Sequence, residues 1–148
     1  MSEKENLKLA EEAIAAFNAH DLDRYVKQID DAYVGESELV GHTQGPVGVR
    51  QSLQMLFGGF PDLRLEVEQM LPSGDFLVTS SRLTGTHKGS FLGIAPTNKA
   101  VSWKICNVVE VRNGKIVKNR LYGDTASLLQ QIGAISLPRP TAAGTAGS

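Results

Sequence analysis

The hydrophobic period of this chain changes at Pro61, and that change limits the possible folds more than any other feature. Before Pro61 apolar residues recur at helical spacing. Leu7, Ala10, Ile14 and Phe17, interleaved with Lys8, Glu11 and Glu12, predict an amphipathic first helix. "NAHDLD" breaks it, and Asp21 caps a short second helix carrying Leu22, Tyr25, Val26 and Ile29. Residues 33–42, "YVGESELVGH", read as a weak strand or irregular segment. A third helix is predicted from about residue 47 to 57, with Pro46 near its start and Gly58-Gly59 ending it.

After Pro61 the period is two. "DLRLEVEQM" sets Leu63, Leu65 and Val67 against Arg64, Glu66 and Glu68, the pattern of a half-buried strand. "FLVTSSRLTGTH", "AVSWKICNVVEV" and "KIVKNRLYGD" continue as strands, with "KGSFLGIAPTNK" as a loop. Asn113-Gly114 is the strongest hairpin signal, because a tight two-residue turn needs positive φ at both positions. "TASLLQQIG" closes the domain as a short helix. Helices followed by a run of antiparallel strands is an α+β pattern: three N-terminal helices packed in a curved antiparallel sheet, forming a cone with an open pocket. The chain of 148 residues is the size of one domain, read here as residues 1–136, followed by a flexible tail at 137–148.

A net charge of -1 provides no broad footprint for nucleic acid or an anionic membrane, and no apolar run is long enough to span a bilayer. The charged, amphipathic N-terminus lacks the apolar core of a signal peptide, and a single cysteine, Cys106, allows no internal disulfide. Both point to the cytoplasm. No Cys/His spacing suits zinc, and no P-loop or GxGxxG turn is present, so neither a metal nor an organic cofactor is expected.

Candidate chemistry lies on the strands. Asp124 follows the last strand and precedes "TASLLQQ", where aspartate is a preferred helix cap. Period-two alternation places it on one face with Tyr122 and Arg120. Asn107 sits among Val101, Trp103, Ile105, Val109 and Val111 on an otherwise apolar face, where an amide needs a partner. That partner is either an internal one or a substrate oxygen. His87 lies at a strand end and His42 before the third helix; each is a structural residue or a group at the mouth of the cone. His20 reads as structural. Trp103, Tyr33, Tyr122, Phe57 and Phe91 are core residues or the wall of a pocket for a flat polycyclic ligand. Arg120 in such a pocket would stabilise an anion and lower a neighbouring carboxylate's pKa.

"AFNAHDLDRY", "GHTQGPVGV", "FPDLRLEVEQM", "GTHKGSFLGIAPTNK", "NGKIV" and "DTASLLQQIGA" occur in this order in SnoaL-like polyketide cyclases, of the nuclear transport factor 2-like superfamily. The chain resembles that family from about residue 7 to 135. "DDAYVGESELVGH" departs from the family pattern near the entrance of the cone. The resemblance implies intramolecular aldol-type ring closure of a poly-carbonyl small molecule without a cofactor. Asp124 is then the general acid/base, with Asn107 and His87 as oxyanion or orienting groups. It also implies a homodimer and a hydrophobic small-molecule substrate. Other reactions in the same cone, or a non-catalytic binding domain, remain the alternatives.

Overall fold

The computed structural model describes residues 2–138, so the tail expected from residue 137 lies almost entirely outside the described residues. Helix α1 spans Glu3–Asn18 and starts on a capping box in which Ser2 and Glu5 satisfy each other's backbone N–H groups. Helix α2, Leu22–Val26, is capped by Asp21 as expected, and Ile29 instead begins a strand. A two-pronged ion pair from Arg24 to Glu12 fastens α2 to α1, at 2.6 and 2.7 Å. The irregular segment resolves into two strands, β1 (Ile29–Ser37) and β2 (Gly41–Gln44), turned at Gly41 with φ 72°. Helix α3 is Gly45–Gly59. Strands β3 (Arg64–Ser73), β4 (Phe76–Thr86), β5 (Ala100–Arg112) and β6 (Lys115–Gly123) follow, and α4 is Thr125–Gln131.

The six strands form one sheet in the order β2-β1-β6-β5-β4-β3. All pairs are antiparallel except β1–β6, which is parallel. Strand β1 reaches β6 from the helical half of the chain, with no hairpin to set its direction. Asn113 and Gly114 do make the tight β5–β6 turn, with φ of 49° and 74°.

In β6 the partner of Glu110 is Lys118, but the partner of Val111 is Ile116. Val117 is therefore an extra, bulged residue. A bulge moves the following residues onto the opposite face. Ile116 faces the inside of the cone and so do Asn119 and Leu121, three and five positions later. Arg120, Tyr122 and Asp124 are left outside.

One end of the cone is solid. Phe60, Phe91 and Leu63 are almost wholly buried there, with Phe60 5.0 Å from Phe91 and 5.6 Å from Trp103 between ring centres. Helix α4 closes this end through Leu128 and Ile132. Beyond the end of β6, β5 lacks a strand partner on that side. The Gln131 side chain replaces it, accepting from Ser102 N–H at 2.9 Å and donating to Ser102 C=O at 2.8 Å. Because Phe60 fills the centre of this aromatic group, Phe60→Ala is expected to cost ~3–5 kcal/mol. Urea unfolding would show it as a lowered midpoint with an unchanged slope.

Candidate active site

The other end of the cone is hollow. A cavity of about 190 Å³ lies between the sheet and helices α1 and α3. Its walls are mainly aliphatic, among them Leu9, Ile14, Leu53, Leu65 and Val109. Asn6 on α1, Ser52 on α3 and Thr79 on β4 also line it, and four adjacent strands each contribute one polar side chain to a single wall: Thr43 on β2, Tyr33 on β1, Asn119 on β6 and Asn107 on β5.

These four side chains form a chain of hydrogen bonds. Asn107 Nδ2 donates to Asn119 Oδ1 at 3.0 Å. With its oxygen so used, Asn119 turns its own amide N–H toward the Tyr33 hydroxyl, which also receives the Thr43 hydroxyl. Both neighbours favour negative charge on the phenol oxygen. Burial pushes the Tyr33 hydroxyl above the ordinary phenol range, and the bonds from Thr43 and Asn119 offset part of that rise. Burial likewise raises Tyr25, which lines the same lumen, with Tyr33 adding to the effect.

Gly35 explains how Tyr33 reaches its place. A Cβ there would stand 2.5 Å from the Tyr33 hydroxyl and closer still to Thr43 Oγ1. Only a bare backbone lets the ring lie along the strand and meet Thr43 on β2.

Of the residues singled out in the sequence, Asn107 and Tyr33 line the lumen. Asp124 does not. It is exposed, on the outer side of the bulged strand, and its carboxylate accepts from Ser127 N–H at 3.1 Å as the cap of α4. Arg120 and Tyr122 are exposed on the same outer face, and no ion pair among the described residues joins Arg120 to Asp124. His42 pairs in register with Glu36, which pairs with Arg120, so it too lies outside.

His87 is fully buried away from the lumen. Its Nδ1 accepts from Thr97 N–H at 3.3 Å and lies 3.0 Å from Thr97 Oγ1, while Nε2 has no partner among the described residues. Backbone bonds from His87 to residues 98 and 99 close the loop at its base, so this histidine ties a loop. Trp103 and Phe91 belong to the solid end, and Phe57 stacks on His20 at 4.0 Å. Asn119 and Thr43 were not apparent from the sequence. Their inward direction follows from the Val117 bulge and from the β1–β2 register, neither of which leaves a mark on residue type.

A cone of helices and curved sheet around a small apolar lumen defines the nuclear transport factor 2-like class of small-molecule protein. Within that class the family model for SnoaL-like polyketide cyclases matches residues 8–132, and the chain belongs to this family. Among solved structures it is similar to AclR, a candidate hydroxylase from Streptomyces galilaeus. The two share 28% identity over 93% of this chain and 91% of that one, with a TM-score of 0.83. It is also similar to IdmH, a candidate polyketide cyclase from Streptomyces antibioticus, at 27% identity, 85% and 96% coverage and a TM-score of 0.74. A candidate SnoaL-like polyketide cyclase from Jannaschia sp. CCS1 shares the fold at 23% identity, with 90% and 94% coverage and a TM-score of 0.82. The sequence matches none of the curated proteins. Family and neighbours support a small-molecule enzyme of the cyclase or hydroxylase type.

The cap assignment is open to a direct check. Asp124→Ala removes the acceptor at the start of α4 and should cost ~1 kcal/mol, whereas Asp124→Asn keeps a capping oxygen and should stay near the parent. Thermal unfolding of the two variants side by side measures the difference.

Proposed function

We propose that this protein is a cyclase-type enzyme that binds an apolar carbonyl compound in the lumen and stabilises negative charge on its oxygen as an aldol-type ring closure proceeds. The observation that carries this reading is the Tyr33 hydroxyl, set beside Thr43 and Asn119, which favour its charged form, in a mainly aliphatic cavity. Neighbours that favour negative charge on its oxygen polarise the phenol, and its proton becomes a donor to a substrate oxygen. Asn107 keeps an unused amide hydrogen and its carbonyl oxygen beside it.

In the step envisaged, water at the mouth takes a proton from a carbon between two carbonyls. The electron pair moves onto oxygen, where the Tyr33 hydroxyl donates to the resulting enolate. The enolate carbon attacks a second carbonyl of the same molecule, forming the C–C bond. The alkoxide takes a proton from Tyr33, and solvent returns that proton. The step draws on no metal or organic cofactor. Asp124 acts in this reading as a helix cap, and the general acid role falls to Tyr33. The same support for an enolate suits addition of dioxygen to the enolate carbon, the peroxide so formed taking a proton to give a hydroperoxide, in keeping with the likeness to AclR, a candidate hydroxylase. A product carrying both atoms of dioxygen would then assign oxygenation in place of ring closure.

Tyr33→Phe keeps the ring and removes the donor. With an aryl triketone able to close one six-membered ring as substrate, it should lower kcat by about 10²–10³-fold. Asp124→Asn should leave turnover unchanged, and the reverse pattern would return the chemistry to Asp124. Because burial raises its pKa, Tyr33 stays neutral up to and beyond the ordinary phenol value of about 10. Its contribution is therefore complete at neutral pH and is lost as pH rises through the raised value, so an alkaline limb due to Tyr33 falls above about pH 10.

We also propose a homodimer through the outer face of the sheet. Leu71, Val78 and Val108 are aligned in register across β3, β4 and β5, and Phe76 and Tyr122 stand exposed nearby, at 46% and 56%. Sedimentation should give twice the 15.9 kDa chain mass, and Val108→Asp should return it to one.

A further inference from the structure

The lumen also carries information about what it admits. We propose that it selects neutral ketones of one or two fused rings, and rejects both carboxylates and larger polycycles. This rests on the lumen being the substrate site, and it names the class of substrate which that site takes.

Size is the first argument. Pockets for drug-sized ligands run to about 300–1,000 Å³, and an apolar protein cavity of about 150 Å³ holds one benzene. At about 190 Å³ this lumen is only slightly larger than the benzene cavity. It therefore suits one substituted ring or a fused pair. The walls that set the limit are built into helices and strands: Phe17 from α1, Leu53 and Leu56 from α3, Leu65 from β3 and Ile105 from β5. Phe17 is further held by Phe57, its ring centre 5.2 Å away. Packed interiors of this kind yield little to an added ring.

Charge is the second argument. Among the described residues no Lys, Arg or His lines the lumen, and the only acidic one along it, Glu36, lies on the outward parity of β1, in register with His42 and Arg120. Where the lumen meets a shallow outer hollow, Glu36, Ser37, Gly41 and Leu121 line both, and Glu38 stands in the hollow beside them. A carboxylate would lose its water inside without meeting a cation, whereas the hollow outside, which His42 and Arg120 share with the two glutamates, holds groups of both signs. A ketone escapes that desolvation penalty. Its oxygen finds the Tyr33 hydroxyl, a donor kept neutral by burial.

Titration calorimetry at pH 8 with three probes separates these arguments. 2-Acetonaphthone has two rings and a neutral acceptor, 2-naphthoate is its anionic counterpart, and 1-acetylpyrene carries the same ketone on four rings. The expected result is binding of 2-acetonaphthone, with each of the others at least about tenfold weaker. Leu56→Ala, which enlarges the lumen, should narrow the gap for 1-acetylpyrene and leave the gap for 2-naphthoate as it was. Equal or tighter binding of 2-naphthoate or 1-acetylpyrene to the parent protein overturns the proposal, and so does binding of none of the three. The Tyr33 mechanism is judged separately, by turnover. A Tyr33→Phe enzyme with undiminished kcat removes that mechanism and leaves the ranking of the probes standing.

Discussion

Val117, the extra residue in β6, decides which half of that strand faces the lumen. In a strand the side-chain period is two, so one inserted residue exchanges inside and outside for everything beyond it. Before the bulge Ile116 packs inward; after it Asn119 and Leu121 do. Without the bulge Arg120, Tyr122 and Asp124 would share the face of Ile116. An arginine and an aspartate would then enter an apolar cavity that has no partner for either. The bulge keeps the lumen uncharged and brings Asn119 beside Tyr33 and Asn107. The polar wall depends on this shift in register.

The wall is also economical in how its groups are satisfied. Buried polar atoms are costly when unpaired, by about 1–3 kcal/mol each. Here Asn107 and Asn119 meet each other, and Asn119 and Thr43 meet Tyr33, so the cost is largely removed before any ligand arrives. What remains unused is a small set of polar atoms, among them an amide hydrogen and the carbonyl oxygen of Asn107 and the buried Oδ1 of Asn6. Rigid strands and a bare Gly35 hold the strand-borne groups in place, so little reorganisation accompanies binding.

The sequence carried the architecture because the architecture rests on period and punctuation. The change of period at Pro61, the Asp21 cap and the Asn113-Gly114 turn each have a local chemical cause, and the cap and the turn stand where the residues predict them. Asn107 was readable too, as an amide on an apolar face. Asn119 and the true direction of Asp124 were not. A parity argument run along "KIVKNRLYGD" groups Asp124 with Arg120 and Tyr122 correctly but cannot tell which face they share, since the bulge between Glu110 and Val111 has no glycine or proline to announce it. His87 misled for another reason. A histidine that ties a loop and one that serves a substrate look alike until its partners are seen.

Gln131 has a consequence beyond holding α4 in place. Its amide occupies the backbone of Ser102 where β5 runs on past the end of β6. An open strand edge is a template for another chain, and proteins normally cover such edges. Here one side chain on a seven-residue helix provides the cover. Partial unwinding of α4, well short of global unfolding, would uncover the Val101–Trp103 edge and with it a route to strand addition between molecules. Whether this edge stays covered on storage or mild heating is thus tied to a short C-terminal helix and to the aspartate that caps it.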